Sequence, residues 1–150
     1  MKNKILYAYL AGLIDGEGCI SIRKCKQGKY TYYKPMIEVG MTDKQPIELL
    51  AKTFGNSVWY EVPHYMHNNI KKQGKNVHKW RVAGTPIVPI LDKILPFLLV
   101  KKKQALLCLE LCKYIKPKGG GSNKWTPQER IIQESVRLPL FKKMYLLNHN

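Results

Sequence analysis

The sequence predicts an α+β domain: a four-stranded antiparallel sheet, helices over one of its faces, and a helical extension toward the C-terminal end. Three observations predict it. Two pairs of alternating segments, Cys19–Arg23 with Tyr33–Met41 and Val58–Val62 with Val77–Ala83, read as strands joined in antiparallel pairs. Segments with apolar residues at helical spacing precede, separate and follow these pairs, so the element order is α-β-β-α-β-β-α-α-α. The 150 residues, 45% of them hydrophobic, suffice for one compact domain over 1–150 and not for two.

The first helix is expected from about Lys4 to Asp15, with Leu6, Tyr9, Leu10 and Leu13 at helical spacing. Ala8, Gly12 and Gly16 recur every four residues and form a second, very small face. Glycine costs about 1 kcal/mol inside a helix, so two of them point to close approach of another backbone. In the first strand Ile20 and Ile22 share one face, and Ser21, Arg23 and Cys25 share the other. A polar tip, Lys26 to Lys29, leads to the return strand, where Ile37, Val39 and Met41 oppose Lys34, Met36, Glu38 and Gly40. Thr42-Asp43 offer an N-cap to a second helix with Pro46 in its first turn and Gly55 at its end.

In the second pair, Trp80 and Val82 point one way, and Lys79 and Arg81 the other. Pro63–Asn76 reads as a long basic connection. A third helix is expected from Pro86 to Leu95, stopped by Pro96, and a fourth up to about Lys116. Pro117–Lys124, with its Gly-Gly-Gly-Ser run, reads as a flexible link. Thr126-Pro127-Gln128-Glu129 is a capping box that opens a last helix, expected to break at Pro139 and to resume to Leu147.

The chain carries 26 Lys and Arg against 10 Asp and Glu, a formal charge of +16. Such a charge repels itself in a compact fold, and a polyanionic partner is the economical explanation. Nucleic acid fits better than a membrane surface, because the basic residues do not line one amphipathic helix. No apolar run reaches the ~20 residues that span a bilayer. The N-terminal residues lack the pattern of a secretory signal, so an intracellular, reducing compartment is expected. Cys19, Cys25, Cys108 and Cys112 form no CxxC pair and read as free thiols, the last two buried. No histidine stands at zinc-ligand spacing to them; His64 and His67 read as surface or DNA-facing groups. The polar sheet face carries Ser21, Arg23, Lys34, Glu38, Lys79 and Arg81, long donors and acceptors suited to base edges in a major groove.

Two carboxylates and three glycines close the first helix in Leu10-Ala11-Gly12-Leu13-Ile14-Asp15-Gly16-Glu17-Gly18. The stretch resembles the signature of the LAGLIDADG homing endonucleases, departing from it at Gly16 for Ala and Glu17 for Asp. Pro96-Phe97-Leu98 with Lys101 and Lys103-Gln104-Ala105 is similar to the segment that supplies the family's active-site lysine. The order of helices and hairpins resembles the family's αββαββα fold with its saddle-shaped sheet, over nearly the whole chain.

The resemblance implies a single-motif homodimer whose helices cross through Ala8, Ala11, Gly12, Asp15 and Gly16. It implies Glu17 as the metal-binding acid, shared with its symmetry mate, and the Gly16 carbonyl as a further metal contact. Magnesium is the expected ion, with manganese able to substitute. Asp15 is read as capping or orienting the helix end. Lys101 aligns with the lysine beside the attacking water, and Lys103 is a weaker counterpart. Asp43 stands where the family often has a water-ordering glutamine, and Ile47 where it often has a basic residue. The implied DNA-facing set is Ser21, Arg23, Cys25, Gln27, Lys34, Met36, Glu38, Gly40, Tyr60, Lys79, Arg81 and Lys103. The implied activity is cleavage of both strands of a long pseudo-palindromic duplex, leaving short 3′ overhangs, with no organic cofactor. An RNA maturase on the same fold and a catalytically silent DNA-binding regulator are the competing readings.

Overall fold

The computed structural model describes residues 2–27, 30–56, 58–61, 64–67, 70–115 and 126–149. Helix α1 spans Lys2–Glu17 and turns directly into strand β1, Gly18–Gln27, which pairs with β2, Tyr30–Met41. Helix α2, Lys44–Phe54, follows, then β3, Val58–Glu61; β4, His64–His67; β5, Ile70–Gln73; and β6, Val77–Ala83. The chain continues through α3, Val88–Ile94; α4, Lys102–Lys113; α5, Pro127–Ile132; and α6, Leu138–His149.

The sheet is antiparallel in the order β1-β2-β6-β3. Its register explains the two faces. Ile20 pairs with Ile37, Ile37 with Val82, and Val39 with Trp80, so one face is apolar across three strands. These residues share one core with Leu10, Ala11 and Ile14 of α1, Ile47 and Leu50 of α2, and Leu91 and Ile94 of α3. Ala105, Cys108 and Leu111 of α4 join the same core, and so do Leu140 and Met144 of α6. The helices therefore lie over one face, and the face carrying the charged positions faces away from that core. Trp80 is fully buried, and its indole N–H donates to the Gly55 carbonyl at 2.8 Å, which satisfies the one polar atom it brings inside.

Asp43 caps α2 as expected: its carboxylate accepts from the Gln45 N–H at 3.0 Å. Gly55, at φ 81°, ends the helix. Gly18 is required by the turn from α1 into β1. A Cβ there would lie 2.7 Å from the Ile14 carbonyl oxygen, a backbone atom that cannot swing aside. Gly18→Ala is expected to cost about 1–3 kcal/mol of stability in chemical denaturation; an unchanged midpoint would show that the turn relaxes freely.

Four expectations are corrected. Pro63–Asn76 is not a bare connection, since it holds the paired strands β4 and β5 as a separate two-stranded sheet. The third helix is shorter than expected, with 3₁₀ turns at Thr85–Ile87 and Leu95–Phe97 around α3. Tyr9 belongs to the exposed side of α1, at 51% exposure, because the buried stripe runs through Leu10, Ala11 and Ile14. The chain does not break at Pro139. A π-helical stretch, Gln133–Arg137, joins α5 to α6 and widens the turn against which the proline ring would otherwise clash.

That stretch carries the buried pair Gln133 and Arg137. Arg137 donates to the Tyr114 carbonyl at the end of α4, and Gln133 donates to the Thr31 carbonyl at 3.0 Å. The Thr126 hydroxyl accepts from the Glu129 N–H at 3.3 Å, as the capping box requires. The Pro117–Lys124 link lies outside the described residues. No helix among the described residues is long and apolar enough to cross a membrane.

Candidate functional site

The C-terminal end of α1 meets the start of α4. The Asp15 carboxylate accepts three consecutive backbone N–H groups: Leu99 at 2.7 Å, Val100 at 3.2 Å and Lys101 at 2.8 Å. In return, the Lys101 ammonium donates to the Asp15 main-chain carbonyl. Burial opposes the ionisation of Asp15, but the three N–H donors and the Lys101 charge outweigh it and hold its carboxyl below the usual carboxylate range. Two residues on, Glu17 is exposed and has no hydrogen-bond or ion-pair partner among the described residues. Gly18 pairs with Val39, so Asp43, just past the end of β2, stands at the same end of the sheet as Glu17. One Asp43 oxygen is taken by its capping bond. Ile47 is fully buried, so that position serves packing in this chain.

Ala8, Gly12 and Gly16 form an exposed stripe on α1. A Cβ built at Gly12 or Gly16 would meet nothing within 4 Å. Their smallness therefore answers no requirement within this chain. Two of the expected interface residues are corrected. Ala11 is fully buried in the chain's own core, and the Asp15 carboxylate is engaged by the α4 end. Ile5, 70% exposed, and Tyr9 fall on the same stripe at spacings of four and three from one another and from Gly12. The sequence reading missed them there, although the 5, 9, 12, 16 spacing was the available signal.

On the sheet, Ser21, Arg23 and Cys25 of β1, Lys34, Glu38 and Gly40 of β2, and Lys79 and Arg81 of β6 share the face away from the core. Position 27 has the same parity. Arg23 pairs with Lys34 across the strands, and both are exposed. Glu38 faces Arg81, and one carboxylate oxygen takes both the Nε and an Nη donor of the guanidinium. The Lys79 stem crosses Gly40, where a Cβ would lie 3.4 Å from Lys79 Cγ.

One expected DNA-facing position is corrected. Met36 is only 3% exposed; it pairs with Ser21 and Ala83 and lies between the longer Lys34 and Glu38 along its strand. Position 60 pairs with His78, on the parity of Trp80 and opposite to Lys79 and Arg81. Positions 59 and 61 take the charged-face parity instead, which an alternation count without a register could not decide. Lys103 is exposed on the first turn of α4. The side chains of residues 27, 60, 64 and 67 lie outside the described residues. Cys108 and Cys112 are buried free thiols; burial pushes both up, Cys112 to about 11, so neither is a thiolate at neutral pH.

An acid at the end of a small-faced helix, a lysine returned to that same end, and a charged sheet face below them define a class. The model of the family described as LAGLIDADG endonuclease matches residues 10–115, and the chain belongs to that family. Among individual proteins, the DNA endonuclease I-CvuI of Chlorella vulgaris is 25% identical over 113 residues, covering 74% of this chain and 66% of that protein. The chain thus spans just under two-thirds of that relative's length. The solved I-CvuI in complex with its target superposes with a TM-score of 0.70 at 22% identity, over 99% of this chain and 85% of that one. The archaeal intron-encoded I-Vdi141I complexed with DNA gives 0.65 at 16% identity, over 96% and 82%. These likenesses establish the fold.

Proposed function

We propose that this chain is a site-specific double-strand DNA endonuclease of the homing type that acts as a homodimer with divalent metal ions. The observation that carries the reading is the exposed Glu17 carboxylate, without a partner among the described residues, at the α1 end that also receives the Lys101 ammonium and next to a glycine face left open in the single chain. Apposing two copies of that face about a two-fold axis brings two Glu17 carboxylates and two α1 ends together. The donor set then suits a hard cation. Among the described residues one chain offers no cluster of three metal-ligating side chains, whereas two Glu17 carboxylates and two Gly16 carbonyls supply oxygen ligands from both sides. Magnesium is the ion we propose, with manganese substituting; I-CvuI was solved with its target in the presence of calcium, and with the I-CreI target in the presence of magnesium with the DNA not cleaved.

The cation, when bound, supplies charge neutralisation at the phosphate and an acidified water. The chain's own groups do the rest. Lys101 places a positive charge beside the scissile phosphate. Asp43 keeps one carboxylate oxygen uncommitted among the described bonds, able to accept from a water at that end of the sheet. The polar face tracks the duplex, with Arg23, Lys34, Lys79 and Arg81 meeting phosphates and base edges. The +16 charge makes affinity fall steeply with salt.

Arg81 sits mid-sheet with its guanidinium fixed by Glu38, which suits reading one base pair. Arg81→Ala is expected to lose about tenfold to a hundredfold of discrimination at that pair. Selection from a randomised duplex measures it, and an unchanged preference would assign Arg81 to solvating the sheet. The reading as a whole is tested by incubating the protein with a randomised duplex library in magnesium and in EDTA. One enriched near-palindromic site, cut only with metal, is the expected result. Binding without cleavage in either condition would favour the maturase or regulator reading.

A further inference from the structure

We infer that Asp15 is a positioning residue for cleavage, holding the Lys101 ammonium at the end of α1 and away from Glu17. The inference rests on the endonuclease reading for its consequence, and on the hydrogen bonds alone for its geometry. Asp15 and Lys101 are joined twice, in opposite senses. The carboxylate takes the Lys101 N–H together with those of Leu99 and Val100, and the main-chain carbonyl takes the ammonium.

The first set ties down the segment 99–101 that enters α4, at a helix start where Lys101 itself makes no side-chain capping bond. It anchors the lysine's backbone. The second bond fixes the far end of the same long side chain. A lysine free at one end samples many rotamers; one bound at both ends has a set reach. The ammonium also sits at the carbonyl end of a 16-residue helix, where a cation is favoured.

The consequence concerns Glu17. The Lys101 ammonium is bound at the main-chain carbonyl of Asp15, two residues before Glu17. Glu17 keeps no partner among the described residues, and the ammonium is held on the Asp15 carbonyl instead. Asp15 thereby keeps Glu17 open to a cation while leaving Lys101 close by. Removing the Asp15 carboxylate loosens the 99–101 segment and frees the ammonium to reach Glu17, where it competes with metal.

The test reads the lysine itself. The full chain, its Asp15→Ala variant and its Asp15→Asn variant are treated with trace acetic anhydride, and acetylation of Lys101, Lys102 and Lys103 is compared by peptide mass spectrometry. Lys102 and Lys103 are exposed on the same helix and serve as internal references. In the unaltered protein Lys101 is expected to react about threefold to tenfold more slowly than its neighbours, as one added hydrogen bond implies. In Asp15→Ala the ratio should approach one, and Asp15→Asn, which keeps an acceptor oxygen, should fall between. A parallel cleavage assay should show the single-turnover rate down about tenfold in Asp15→Ala, target affinity unchanged, and more magnesium needed for half-maximal rate.

An unchanged acetylation ratio in a folded Asp15→Ala protein overturns the inference. So does a lowered rate with no change in metal requirement, the pattern of a merely structural cap. Should the unaltered protein cut no duplex, the endonuclease reading fails, while the acetylation ratio still decides whether Asp15 holds Lys101.

Discussion

Replacing Glu17 with glutamine is expected to leave DNA affinity within about threefold and to lower cleavage by at least about a thousandfold, the loss that follows removal of a central charge-stabilising group. The substitution is nearly isosteric and lies at an exposed position, so folding should not suffer. What changes is the charge available to a cation. Among the described residues no partner holds Glu17, and no cluster of three metal-ligating side chains occurs. Loss of one carboxylate per chain therefore removes two from the paired site. Binding, which we propose rests on the sheet face and its basic residues, has no reason to weaken. Gel-shift titration beside single-turnover cleavage separates the two effects. Retained cleavage by Glu17→Gln would remove Glu17 from the metal site.

Gly12→Leu should produce the second large effect, with an unusual signature: a more stable chain that no longer assembles. The helix should gain about 0.8 kcal/mol, since leucine is a far better helix former than glycine. The first atom of the new side chain has room, because a Cβ at position 12 meets no described atom within 4 Å. Two such helices, however, cannot approach as closely as two glycines allow. Overpacking of this kind costs about 1–3 kcal/mol per site, and a two-fold interface suffers it twice. Sedimentation should report a monomer where the proposed reading expects a dimer of the unaltered chain, thermal melting should show an intact fold, and cleavage should fall at least about a hundredfold. Undiminished dimerisation would place the interface elsewhere and leave the glycine stripe unexplained.

Much of this architecture was legible in the residues. Alternation in Cys19–Arg23 and Tyr33–Met41 set the faces that the register later displayed, and Asp43 capped the helix it preceded. The Ala8, Gly12, Gly16 spacing marked an exposed small face correctly. Misses fell where tertiary contact overrides local pattern. Ala8 and Ala11 are equally small, but only the angular position around α1 separates an exposed residue from a core one. Met36 sits on the charged face by parity and is buried there all the same, which alternation alone does not reveal.

The basic segment before β6 has no clean alternation, so β4 and β5 read as a connection. Pro139 signals a break in any helix, and only the wide turn of residues 133–137 lets the chain continue. The bond between Asp15 and the start of α4 joins residues 84 to 86 positions apart, beyond the reach of any periodicity.

The central claim is that two copies of this chain build one cleavage centre, each contributing Glu17. Mapping the broken ends on a selected duplex, strand by strand, tests it most directly. The expected result is one break per strand, placed symmetrically about the centre of the site in magnesium, with both breaks absent for Glu17→Gln. Breaks confined to one strand, breaks unrelated by that symmetry, or breaks that persist in Glu17→Gln would contradict it.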